Sequence, residues 1–98
     1  MLDHAVLQSV AKQLLNSTKI DLNGKLSRVS RTSSQRLRTA TFEMDGHQYQ
    51  AIEQNATKPS RWGQLAREGH QVVQFKDVQT NRFVAVSVDG EITEYKRG

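Results

Sequence analysis

Three dipeptides, Asn23-Gly24, Asp45-Gly46 and Asp89-Gly90, each lie between runs in which apolar and polar residues alternate, and they constrain the chain more than any other feature. A two-residue type I′ turn needs positive φ at both central positions, which Gly adopts freely and Asn or Asp at low cost. A chain that reverses this tightly returns beside itself, so the strands it joins are antiparallel neighbours. Counting outward from Asp45-Gly46 sets Met44 against His47, Phe42 against Tyr49, Ala40 against Ala51 and Arg38 against Glu53. That face is mostly apolar. The other, with Leu37, Thr39, Thr41 and Glu43 against Gln54, Ile52, Gln50 and Gln48, is mostly polar, as a sheet with one wet side requires.

Between Asp3 and Ser17 the period changes. Val6, Leu7, Val10, Ala11, Leu14 and Leu15 fall on the i, i+3, i+4, i+7 stripe of an amphipathic helix, about residues 3–17. Its polar face, Gln8, Ser9, Lys12 and Gln13, carries almost no charge. Pro59 and Ser60 open a second, shorter helix, about 60–68, with Trp62, Leu65 and Ala66 as its apolar stripe and Gly69 placed to end it. Strands are expected at about 19–30, 36–44, 47–54, 70–76, 82–88 and 91–95. Within the first of these, Ile20 and Leu22 lead into the Asn23-Gly24 turn, and Ser27 to Gln35, with Val29 as its only apolar residue, reads as a strand fraying into a loop. The tail Lys96-Arg97-Gly98 is expected to fray.

The reading is one α+β domain over residues 1–98: an N-terminal amphipathic helix, a second short helix, and a curved, mainly antiparallel sheet of five or six strands. The sheet either packs on the first helix or rolls towards an open barrel. The two Asp-Gly turns match, but no residue-level repeat accompanies them. A chain of 98 residues with 36% hydrophobic content has room for one modest core and no more. Without cysteine there is no disulfide framework, thiolate nucleophile or cysteine metal site. No apolar run reaches the roughly 18 residues of a membrane helix, and Met1-Leu2-Asp3-His4 lacks the basic start of a secretory leader. The expectation is therefore a soluble, cytoplasmic protein with no membrane contact. Asn16-Ser17-Thr18 and Asn55-Ala56-Thr57 match the glycosylation tripeptide, which carries no weight in that setting.

Charge is the most informative functional signal. The chain carries +4 at neutral pH, and the surplus is uneven. Residues 19–38 hold Lys19, Lys25, Arg28, Arg31, Arg36 and Arg38 against the single acid Asp21, a local balance of +5. Residues 39–57 hold Glu43, Asp45 and Glu53 with no base, and residues 58–69 return +2 from Lys58, Arg61 and Arg67 against Glu68. Ser27, Ser30, Thr32, Ser33, Ser34 and Gln35 are interspersed with the first group of cations. Guanidinium forks and neutral donors together suit phosphate oxygens. The leading expectation is weak, sequence-tolerant nucleic-acid binding by Lys25, Arg28, Arg31, Arg36 and Arg38, with Lys58 and Arg61 extending the patch. The blander account is a solvated loop neutralised by the acidic strands that follow, for instance through an Arg38–Glu53 pair.

Other classes are weaker. Trp62 beside Lys58 and Arg61 could offer a stacking platform, yet its spacing to Leu65 and Ala66 favours the core, as the pairing of Phe42 with Tyr49 does for those two. His4, His47 and His70 lack the close spacing of zinc ligands, so no metal and no cofactor are expected. A small metal-independent ribonuclease would use His47 or His70 with Arg36, Arg38 or Arg67, although nothing in the spacing selects them. No phosphate-binding glycine loop, GxSxG elbow or HExxH is present, so an enzyme is the less favoured class and no catalytic residue is assigned. The rival class is a protein-interaction module or homodimer, pairing through an edge strand such as Glu91 to Tyr95 or through the first helix.

Overall fold

The computed structural model describes residues 2–96. Helix α1 spans His4–Asn16, and Asp3 caps it by accepting hydrogen bonds from the backbone N–H of Ala5 and Val6 at 3.1 and 3.3 Å. The turns then do what their chemistry demands. Strands β1 (Lys19–Leu22) and β2 (Lys25–Arg28) form a two-stranded sheet about Asn23-Gly24. Strands β3 (Ser30–Arg31), β4 (Arg38–Met44), β5 (His47–Glu53), β6 (Val72–Asp77), β7 (Arg82–Val88) and β8 (Glu91–Glu94) form a six-stranded antiparallel sheet in chain order. Helix α2 (Arg61–Arg67) occupies the connection between β5 and β6.

The architecture is the expected α+β arrangement, and the register about Asp45-Gly46 pairs Met44 with His47, Phe42 with Tyr49 and Ala40 with Ala51. Three details differ. The sheet stays open, with β3 and β8 as its edges, so the barrel alternative falls. The hairpin expected about Asn23-Gly24 forms, but as a two-stranded sheet of its own, and the chain then crosses into the main sheet at Val29, whose N–H donates to Thr18 O at 2.9 Å. Strand β4 begins at Arg38 rather than at 36, because Arg36 takes a left-handed φ of 56°. Around it Thr32 closes the loop, donating its N–H to Leu37 O and accepting those of Arg36 and Leu37. As for the expected tail, Arg97 and Gly98 lie outside the described residues.

One face of the sheet receives α1, which touches β4, β5, β7 and β8. Leu7, Val10, Ala11 and Leu14 of the helix are buried against Ala40, Phe42, Met44, Tyr49, Ala51, Val73, Phe75 and Ala85, with Ile20 closing the core from β1. Phe42 stacks on Tyr49 with ring centroids 5.8 Å apart and meets the edge of Phe75 at 6.1 Å. Between β6 and β7 the register slips by one residue at Phe75/Lys76, so Val84 is the extra residue of a bulge.

The second face is only partly covered. Ser60 caps α2 by accepting from Gly63 N–H at 3.1 Å. At its far end Gly69 N–H donates to Ala66 O and His70 N–H to Leu65 O, each at 3.1 Å, with Gly69 at φ 97°. That pair of bonds is a Schellman motif, in which a left-handed residue lets the last carbonyls find donors. The stripe of α2 is shallower than its spacing suggests. Trp62, Leu65 and Ala66 are half-buried, and Gly63 is the residue that is buried. Arg67 holds the helix to the preceding loop, donating from Nη1 to Ala56 O and Lys58 O.

Candidate functional site

The pairing of β3 with β4 sets Arg31 directly opposite Arg38 and Ser30 opposite Thr39. Alternation along β4 puts Arg38 on the same side as Ala40 and Phe42, the side of α1. Just past the end of the core, both arginines therefore line a pocket of about 520 Å³, together with Leu15, Asn16, Ser17, Thr18, Val29 and Ser30. Like charges directly across a strand pair are destabilising unless something compensates them. Glu53 compensates one of the two. Its Oε2 lies 3.8 Å from Arg38 Nη1, and its Oε1 accepts the Arg38 backbone N–H at 3.1 Å. Arg31 instead donates from Nη1 to the backbone oxygen of Arg36 at 2.9 Å, which fixes the guanidinium without neutralising it.

A second like-charge pair lies where the β1–β2 hairpin meets β3. Lys19 faces Arg28 in register, and both are exposed. Among the described residues no carboxylate comes within 4.0 Å of Lys19, Arg28, Arg31 or Arg36. Arg31 and the shared Arg38 thus line a hydroxyl-bearing pocket, while Lys19, Arg28 and Arg36 are uncompensated cations on the neighbouring hairpin and loop.

The other cations singled out in the sequence go elsewhere. Lys25 sits at the far end of the hairpin and bonds the Glu43 carboxylate. That hydrogen bond, with the charge of Lys25 behind it, holds the Glu43 carboxyl below its ordinary range. Lys58 and Arg61 belong to the opposite face of the sheet. There α2 and the loop before it leave a groove of about 560 Å³ whose walls include Leu37, Ile52, Trp62 and Phe83, with Lys58 in its lining. The Arg61 guanidinium lies over the Trp62 ring, 5.2 Å from its centroid. Tyr95 meets the same indole edge-on at 6.2 Å. Gln54 also lines the groove; its Nε2 donates to Asn55 O at 3.1 Å, while its buried Oε1 has no donor among the described residues.

The histidines do not converge. His4 bonds Glu94, His47 Nδ1 lies 3.2 Å from Gln79 Oε1, and His70 Nδ1 lies 2.6 Å from Asp89 Oδ2. Bonding to Asp89 raises the His70 pKa above its ordinary 6.5, and the same bond lowers that of Asp89. Among the described residues no group of three or more His, Cys, Asp or Glu is arranged to hold a metal ion. Arg67, a candidate cation for cleavage chemistry, is occupied by two backbone carbonyls. No helix among the described residues is long and apolar enough to cross a membrane.

Sequence reasoning missed two things. Lys19 was counted in the charge balance but not among the contacts, although its alternation with Ile20 in the hairpin would have turned it to the same side as Arg28. The groove had no local signal at all, since its walls come from β5, β6, β7, α2 and the loops before β4 and α2. Compared with protein-family models, with curated proteins and with solved structures, the chain matches none.

Proposed function

We propose that this domain binds the phosphate backbone of nucleic acid, weakly and with little regard to sequence, through Lys19, Arg28, Arg31, Arg36 and Arg38. The observation that carries the reading is the opposition of Arg31 and Arg38 across adjacent strands over a pocket that also presents Ser17, Thr18 and Ser30. A fold that sets two arginines opposite each other on adjacent strands, with one carboxylate on the far side of Arg38, leaves net positive charge that an anion relieves. Lys19 and Arg28 extend that charge along the hairpin, so the surface is longer than a single phosphate and suits a repeating polyanion. Base-edge readout needs polar side chains aimed into a groove of the duplex, and this cationic corner is made of arginine, lysine and small hydroxyls on short strands, which fits backbone contact.

Salt dependence tests the reading. With Arg38 shared, about four phosphates are neutralised, and the slope of log K against log salt on duplex DNA is then about −3.6, or about −2.8 on a single strand. Replacing Arg28 and Arg31 together by Gln flattens the duplex slope by nearly two units. An unchanged slope in that double variant, or a parent protein that binds no oligonucleotide at low salt, sinks the assignment.

A further inference from the structure

The groove on the second sheet face has the composition of a site for a flat, hydrogen-bonding ring. Its walls combine an indole, a phenyl ring and two aliphatic side chains, Trp62, Phe83, Leu37 and Ile52. Four side-chain amides, Gln35, Gln54, Asn55 and Gln74, lie among them. At about 560 Å³ it falls inside the size range of small-ligand pockets, which are mainly apolar with a few convergent polar groups. Two features separate it from an incidental surface dip. Phe83 is 44% exposed, a large aromatic held out on the sheet face. The Gln54 side chain is buried with its Oε1 lacking any donor among the described residues, an unsatisfied acceptor of a kind that folded proteins rarely keep. Lys58 in the lining and Arg61 over the Trp62 ring outweigh the one carboxylate there, Glu53, which is itself paired with Arg38, and so favour a ligand that carries an anion next to its flat part.

We propose that this groove takes an unstacked base of a single-stranded nucleic acid, so that the protein's preferred ligand is single-stranded. The proposal deepens the phosphate-binding reading and rests on it for the path of the strand. The two sites share a wall: Leu37 lines the groove and the next residue, Arg38, lines the arginine pocket on the other side of the sheet. Consecutive residues of an extended chain point to opposite faces, so a strand rounding the end of β4 past the Thr32–Leu37 loop reaches both. Its phosphates then meet Arg31, Arg36 and Arg38 while one base enters beside Trp62. Every base has a π face, so stacking of this kind is sequence-tolerant.

The chain has a single tryptophan, so its emission reports on the groove directly. The full chain is titrated with a single strand of about eight nucleotides, with an abasic deoxyribose-phosphate strand of equal length, and with adenosine monophosphate alone. We expect the base-bearing strand to quench Trp62 and to bind about tenfold more tightly than the abasic one, the range that stacking of one base supplies. Phe83→Ala, at an exposed position, and Trp62→Leu each reduce the base-bearing strand to the abasic level. Arg28→Gln with Arg31→Gln weakens both strands alike. Equal affinity for the two strands without quenching overturns the base site and leaves the phosphate reading standing. Failure of both strands to bind removes the phosphate reading, and the base site with it unless adenosine monophosphate alone still quenches. Tighter binding of the free nucleotide than of the strand overturns the assignment to single strands.

Discussion

Helix α2 contains a glycine where helix propensity argues for almost anything else, and replacing it separates two opposed effects. Exchanging Gly for Ala inside a helix usually stabilises by up to about 1 kcal/mol. At Gly63 an added Cβ would fall well inside contact distance of the Lys58 carbonyl oxygen and 2.9 Å from its carbonyl carbon. The obstacle is backbone, not the end of a flexible side chain. That carbonyl also accepts from Arg67 Nη1 at 2.8 Å, so it cannot retreat without loosening the clamp that joins α2 to the loop before it. Forcing a methyl group into a filled site costs about 1–3 kcal/mol. Set against the propensity gain, Gly63→Ala is expected to destabilise by about 1–2 kcal/mol. For a domain of this size each kcal/mol moves Tm by roughly 4–8 °C, so the melting temperature drops by roughly 4–16 °C. Thermal unfolding followed by circular dichroism reads this directly. A Tm that rises, as propensity alone demands, would refute the claim that close approach of the Lys58 backbone dictates glycine here.

Two further outcomes follow from the core and from the His70–Asp89 pair. Phe75 is fully buried and meets Phe42, so Phe75→Ala is expected to lose about 3–5 kcal/mol, a large part of the roughly 5–15 kcal/mol that holds a small domain together. A shift in the urea midpoint corresponding to less than about 1.5 kcal/mol would show that the site collapses around the cavity. The His70–Asp89 bond raises one pKa and lowers the other. His70 therefore contributes stability that is complete below its ordinary 6.5 and lost as pH rises through its folded value, while Asp89 contributes stability that is present above its ordinary 3.8 and lost as pH falls through its own. The Tm difference between the parent and His70→Gln should accordingly be greatest between about pH 4 and 6.5 and vanish in alkali. A difference that grows with pH contradicts the assignment.

Most of the fold was legible because it rests on local chemistry. The Asp45-Gly46 dipeptide specifies the turn, and a turn of known length specifies the partner of every residue from Thr39 to Ile52. Likewise Asp3, Ser60 and Gly69 announce helix ends because the orphan N–H and C=O groups there need particular partners. Where a tertiary contact decided, the sequence was silent. Arg36 takes a conformation common to Asn or Gly because the loop closes on Thr32 and Leu37, and no periodicity marks that closure. Trp62 has the spacing of a core residue, but α2 touches the sheet near β6 and leaves the indole half-covered. For the candidate site, the charge count over residues 19–38 found the right segment and could not sort it. Which of its cations meet a carboxylate depends on strand partners: Glu43 reaches Lys25 from β4, and Glu53 reaches Arg38 from β5. The cationic pocket needed the short β3 to set Arg31 against Arg38, and two residues of strand are below what alternation can reveal.

Val84, the extra residue in β7, has an effect out of proportion to its size. Were the ladder continuous from Phe75–Ala85, Phe83 would pair with Asp77 and face α1; with the offset it pairs with Lys76 and stands on the far side. Deleting Val84 would make the ladder regular and leave Phe83 opposite Lys76 on the groove side, with every pairing from Val72 to Phe75 as it is. The bulge thus lets one strand send Ala85 into the core and Phe83, two residues earlier, into the groove, where unbroken alternation would put both on one face.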